Sequence, residues 1–188
     1  MSGKPGGALY PMKNVSGFTL IELMIVMIIM GVLAAIGVTS FMSSQIKGRD
    51  AQRKGNLKAI AQALELYYND KSAYPTSDGA GSFVGCYTIT GGGPGKCGAD
   101  YPVFKDSIAG GAVYMAKYPV DPATTQQYYY LASKSSGSAI YNQYQLYAHV
   151  ENNQDLQRIT PAPATAESPS CGTGASCNYG ISSGNIQP

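Results

Sequence analysis

The sequence predicts an α+β fold: a long N-terminal helix, membrane-spanning in its first half and amphipathic in its second, packed on a small antiparallel sheet. Three observations carry this. From Phe18 to Val38 the chain is a membrane-length apolar run whose only ionisable side chain is Glu22, and about 20 apolar residues suffice to cross hydrocarbon. Beyond Thr39, Ile46, Leu57, Ile60, Ala61, Leu64, Tyr67 and Tyr68 recur largely at three- and four-residue spacing, which is one face of a helix. Further on, Tyr144, Leu146, Ala148 and Val150 alternate with Gln143, Gln145, Tyr147 and His149, the pattern of a half-buried strand.

In chain order this gives four segments. Residues 1–17 are a short leader bearing Lys4 and Lys13; Met12 to Gly17 alone is a plausible positively charged leader, so the start lies at Met1 or Met12. Residues 18–38 form the spanning helix and 39–71 continue it as an amphipathic helix, roughly 80 Å in all at 1.5 Å per residue. Gly31, Gly37, Gly48 and Gly55 each lower helix propensity by about 1 kcal/mol relative to Ala and mark places for bending. Lys47, Arg49, Asp50, Arg53, Lys54, Lys58 and Glu65 supply the charged positions between the apolar ones. Residues 72–188 form the globular head. There, residues 76–100 read as a loop with a Gly-rich tip, 103–117 as containing a short helix weakened by Gly110-Gly111, 127–133 and 139–151 as strands, 156–160 as a returning strand and 161–170 as a Pro/Ala/Ser-rich connection.

Glu22 raises a problem of its own. A bare carboxylate in hydrocarbon costs roughly 2.5–3.5 kcal/mol on insertion scales, and such groups have partners and functions. No Lys or Arg lies within the segment. The closest candidate cation is an α-amino group, if the chain is cut just before Phe18.

The stretch Gly17-Phe18-Thr19-Leu20-Ile21-Glu22 resembles the processing site of type IV pilins and type II secretion pseudopilins. The resemblance implies a pilin-like fold and a cut between Gly17 and Phe18 by a prepilin peptidase, with N-methylation of Phe18. It also implies that Glu22 pairs with the Phe18 amine, often that of a neighbouring subunit. The likeness extends through Arg49-Asp50-Ala51-Gln52-Arg53 and Leu64 to Asp70, and ends at Ser72-Ala73-Tyr74-Pro75. One departure stands out. Many members carry a helix-breaking proline where this chain has Thr39-Ser40, which leaves open whether the helix melts between Gly31 and Thr39.

Cys86, Cys97, Cys171 and Cys177 all follow the membrane segment, and an even count in an exported domain suggests disulfides. Four cysteines allow three pairings. Local pairing, Cys86 with Cys97 and Cys171 with Cys177, closes two Gly-rich loops and is the expected one, each loop contributing about 3 kcal/mol. Zinc is the alternative, but separations of eleven and six residues do not resemble paired Cys-x-x-Cys knuckles.

Catalytic and cofactor chemistry find little support. Gly91-Gly92-Gly93-Pro94-Gly95 lacks the strand before it and the Lys-Ser/Thr helix after it that a phosphate cradle needs. His149, the only histidine, has no adjacent nucleophile context. Tyr118-Pro119-Val120-Asp121-Pro122 resembles the Asp-Pro element before the sheet of major pseudopilins, yet too few carboxylates follow Asp121 for a six-to-eight-oxygen calcium site. The fifteen tyrosines suit half-buried sheet positions and subunit contacts. The expected protein is no enzyme and holds no cofactor or metal. From Ser72 onward, five basic residues face seven acidic ones. Charge therefore gives no footprint for nucleic acid, although a small local DNA patch stays open.

What the resemblance implies is a structural subunit stored in the lipid bilayer of the cytoplasmic membrane. It polymerises with copies of itself into a helical filament at the cell surface, for adhesion, motility or DNA uptake. A membrane assembly platform with a separate ATPase drives this. One alternative is a pseudopilin of type II secretion; another is a membrane-anchored binding module that never polymerises.

Overall fold

The computed structural model describes residues 17–88, 94–106, 111–159 and 169–184, with Thr39 described by its backbone alone. The residues before Gly17, the glycines 91–93 and residues 160–168 lie outside the described residues. α1 (Leu20–Lys71) is a 52-residue helix that runs through its four glycines. Seven strands follow: β1 (Val84–Tyr87), β2 (Gly95–Lys96), β3 (Val103–Lys105), β4 (Val113–Met115), β5 (Tyr129–Ser133), β6 (Gln143–Ala148) and β7 (Tyr179–Ser182). The chain divides into two units, Met1–Ser43 and Ser44–Pro188.

In the first unit, the apolar side chains from Phe18 to Met42 are exposed around the whole helix. A helix apolar on every side belongs in a membrane or a large core. Among the described residues, α1 is the one helix long and apolar enough to cross a membrane, judged by length and composition.

The second unit is the head. Its part of α1 buries Leu57, Ile60, Ala63 and Leu64, with Ala61, Tyr67 and Tyr68 packed at the edges. The sequence periodicity selects this face. The helix stops at Ser72, whose φ of 56° is left-handed and whose N–H reaches the Tyr68 carbonyl at 2.7 Å. Lys71 in the last turn complements the negative end of the helix dipole.

The strands form two antiparallel sheets, one ordered β2-β1-β3-β4 and the other β5-β6-β7. Both present side chains to the same core, where Phe83, Phe104, Tyr130, Tyr144 and Leu146 meet the α1 face. Burying a large apolar side chain stabilises by about 1.5–3 kcal/mol, so the core ties α1 to both sheets. In the second sheet, Tyr130 pairs with Leu146 and Ala132 with Tyr144, while Ala148 pairs with Tyr179. The inward phase Tyr144, Leu146, Ala148 and Val150 is buried, as its alternation demands.

Several local expectations are corrected. Residues 76–100 are more than a loop, because they contain β1 and β2. Residues 103–117 hold two strands where a helix was expected: Val103-Phe104-Lys105 and Val113-Tyr114-Met115 favour extended backbone. Of the expected strand 156–160, the described residues 156–159 form no strand, and Thr160 lies outside the described residues. Asn152 and Asp155 instead fold their side chains onto the N–H groups of Gln154 and Gln157, at 3.1 and 2.9 Å. Such Asx turns compete with sheet pairing. The strand that returns beside β6 after it in the chain is β7. Tyr147, on the polar phase of β6, is fully buried in a second cluster with Tyr129, Cys171 and Cys177.

Candidate functional site

The N-terminal junction is open. Gly17 and Phe18 are exposed, and a Cβ placed on Gly17 meets nothing within 4 Å. Four residues on, the Glu22 carboxylate is engaged. It accepts hydrogen bonds from the Thr19 N–H at 2.9 Å and the Thr19 hydroxyl at 2.7 Å. In return, the Glu22 N–H donates to Thr19 Oγ1 at 3.3 Å. This is a capping box: Thr19 is the N-cap and Glu22 the third helical residue. The carboxylate thus partly satisfies the exposed donors of the first turn and sits at the positive end of the helix dipole. The Thr-x-x-Glu spacing announces this cap, and sequence reasoning that sought only a cation for Glu22 passed over it.

The second site lies inside the head, where the charged positions of α1 do not all face solvent. Arg53 is fully buried and Asp50 is 3% exposed. Arg53 donates from Nε and Nη2 to the two oxygens of Asp121, at 3.0 and 3.1 Å. Its Nη1 reaches Asp50 at 2.8 Å and Glu151 at 2.8 Å. The Asp50 carboxylate also accepts the N–H groups of Glu151 and Asn152, at 2.9 and 2.8 Å. Asp121 accepts the Ala123 N–H at 2.8 Å. Arg49 closes the group with two hydrogen bonds to Glu151. Burial works to lower the Arg53 pKa, but its hydrogen bonds to Asp121 and Glu151 outweigh this and hold it above the ordinary value. The Arg49 hydrogen bond, followed by that from Arg53, holds Glu151 down at about 2.

Asp121 therefore serves as the anchor for Arg53, and its oxygens are occupied by donors. The Asp-Pro element is a fastening point between α1 and the segment that leads into β5. Sequence reasoning missed the clasp because Asp50 and Arg53 look like members of a solvated face. The available signal was spacing: Arg53 precedes Leu57 by four residues and so lies on the buried stripe.

The cysteines form Cys86–Cys97 and Cys171–Cys177, with Cα separations of 4.9 and 5.1 Å. The first joins β1 to the chain leaving β2. The second closes a turn in which Gly172, at φ +130°, passes so near the Thr125 carbonyl that a Cβ would lie 2.2 Å from it. His149 donates its Nδ1–H to the Ser176 carbonyl at 2.8 Å and so holds this turn on the sheet.

The geometry defines an α+β protein built on one long helix, apolar on every side in its first half and capped at its first turn by Thr19 and Glu22. The family described as "Prokaryotic N-terminal methylation motif" matches residues 12–38. Type II secretion system core protein G of Pseudomonas aeruginosa is 39% identical over 126 residues, covering 66% of this chain and 79% of that protein. Type IV major pilin protein PilA of Myxococcus xanthus is 45% identical over 58 residues, 31% of this chain and 26% of the pilin. Core protein G of Vibrio cholerae is 36% identical over 67 residues, 36% of this chain and 46% of that protein. No solved structure matches the chain. The chain belongs to the type IV pilin and type II secretion pseudopilin family.

Proposed function

We propose that this chain is a structural subunit that waits in the cytoplasmic membrane and then polymerises into a pilin-type filament. The observation that carries the reading is an α1 first half apolar on every side, with a single carboxylate in its first turn. Its apolar face finds lipid before assembly and the same helix of neighbouring subunits afterwards. A prepilin peptidase cuts between Gly17 and Phe18 and methylates the Phe18 amine. Glu22 then pairs with the amine of an adjacent subunit, which removes two unpaired charges from an apolar core and sets axial register. Contacts of this head-to-tail kind, when they do not close, make helical fibres. A separate ATPase on an assembly platform supplies the work. The filament reaches the cell surface and serves adhesion, motility or DNA uptake.

One observation favours a second reading, a secretion pseudopilus. The match to the Pseudomonas core protein G runs beyond the N-terminal helix into the head, whereas the match to the Myxococcus pilin covers 58 residues. Mass spectrometry and electron microscopy of sheared surface material test both. Long fibres containing this chain with a methylated Phe18 support the pilus. Loss of protein secretion on deleting the chain, without such fibres, supports the pseudopilus. The absence of the chain from any filament contradicts both.

A further inference from the structure

A cleft of about 420 Å³ opens between the exit of α1, the first sheet and the residues before β6. Four tyrosines wall it, Tyr67, Tyr74, Tyr87 and Tyr141, with Pro75 and Pro94 completing the apolar surface. The wall is held in place. The Tyr74 N–H donates to the Tyr141 carbonyl at 2.7 Å, Tyr67 stacks on Phe104 at 5.4 Å, and Tyr68 stacks on Tyr74 at 4.5 Å.

Lys105 lines the cleft, and Lys134 stands over one of its wall tyrosines. Lys105 Nζ lies 5.0 Å from the centre of the Tyr87 ring, and Lys134 Nζ lies 4.9 Å from that of Tyr141. Neither is in an ion pair among the described residues, whereas Lys54, Lys71 and Lys96 each hold a carboxylate. Asp106, next to Lys105 in the chain, is taken by Lys71 at 2.6 Å. No carboxylate lines the cleft among the described residues. A single cation–π contact holds an ammonium by a modest attraction. A carboxylate offers it a stronger, charge-assisted hydrogen bond.

We propose that this cleft binds an acidic saccharide. The C–H face of a pyranose ring, weakly positive, packs on the negative faces of the half-buried Tyr67 and Tyr141. The sugar carboxylate draws Lys105 and Lys134 off their rings, and the sugar hydroxyls meet wall hydroxyls other than that of Tyr74, which Glu65 holds at 3.1 Å. A concave, mostly apolar wall with a few polar groups is the usual form of a small-ligand site. Nucleic acid fits less well. Its affinity grows with the number of phosphates neutralised along a basic groove; here there are two lysines, on a head whose acidic residues outnumber its basic ones from Ser72 onward.

The test is calorimetric titration of the full chain in detergent with tri-galacturonate, its methyl ester and an oligothymidylate. The acidic trisaccharide is expected to bind, and its ester to bind about tenfold more weakly. The Lys105→Gln/Lys134→Gln double variant, changed only at lysines outside the core, is expected to lose about tenfold for the acid while keeping the wild-type Tm. The proposal is overturned if the trisaccharide does not bind at millimolar concentration, if acid and ester bind alike, or if the double variant keeps its affinity. Tighter binding of the oligothymidylate than of the trisaccharide assigns the cleft to nucleic acid instead and also overturns it.

Discussion

Arg53 grips Asp121 with two parallel hydrogen bonds, from Nε at 3.0 Å and from Nη2 at 3.1 Å, and both side chains are sealed from solvent. The pair joins α1 to the Asp-Pro segment ahead of the second sheet. Asp50 extends the same group to the backbone after β6. Replacing Arg53 with Met leaves Asp50 and Asp121 buried without their cation. Breaking a buried pair in this way costs about 3–5 kcal/mol. Chemical denaturation of the Arg53→Met chain is expected to show a loss of that order. Lys96→Ala removes an ion pair whose lysine is 66% exposed, and is expected to cost at most about 1 kcal/mol. Equal effects of the two substitutions contradict the clasp.

Acid should loosen the head in a defined window. Hydrogen bonds from Arg49 and then Arg53 hold Glu151 at about 2, against 4.5 for the free side chain. The Lys96 hydrogen bond, with backbone donors from Ser82 and Ala80, holds Asp78 at about 2, against 3.8. Both folded values are depressed. Their stabilisation is therefore complete above the unfolded values and fades as pH falls from about 4.5 towards about 2. Melting temperature measured against pH is expected to decline across that interval, and the Glu151→Gln chain to decline less steeply. A wild-type profile flat down to pH 2 contradicts this.

The long elements were legible in the sequence because their signals repeat. The Leu57–Leu64 stripe and the Tyr144–Val150 alternation each offer several concordant residues, and each packs as its period requires. The first sheet offered no such repetition. Its strands run from two to four residues, too short for a period to show. Arg53 and Tyr147 misled in another way. Each has a polar group on a position whose neighbours decide burial: Arg53 by partners far along the chain, Tyr147 by the Cys171–Cys177 turn.

That turn yields a further prediction. Cys171 and Cys177 are fully buried and cover Tyr147 and Tyr129 on the outer face of the second sheet. Cys171→Ser/Cys177→Ser is expected to cost about 2–5 kcal/mol and to open the Tyr147 ring to solvent, seen as a gain in its exchange or labelling. Non-reducing peptide mapping of the wild type is expected to give Cys86 with Cys97 and Cys171 with Cys177. A crosslink between Cys86 and either tail cysteine contradicts the pairing.

Processing at Gly17 is tested by size and sequence. The mature chain is expected to begin at a methylated Phe18. Gly17→Leu places a bulky side chain at the exposed junction and is expected to leave full-length precursor in the membrane fraction. Normal-sized mature subunit from that variant contradicts the proposed cut.

Glu22 carries the central claim, and its capping box allows a sharp test. Glu22→Gln retains an oxygen able to accept the Thr19 N–H, since Gln serves the third position of a capping box as Glu does, but it removes the charge. Insertion should be spared, because an uncharged side chain is cheaper in hydrocarbon. Assembly should suffer, because the Phe18 amine is then buried without its counter-charge at a cost of about 3–5 kcal/mol. The measurement is filament abundance by electron microscopy, set against the membrane level of the subunit, in cells making only Glu22→Gln. The account predicts wild-type membrane levels with few or no filaments. Filaments at wild-type abundance would show that the carboxylate does no more than cap its own helix.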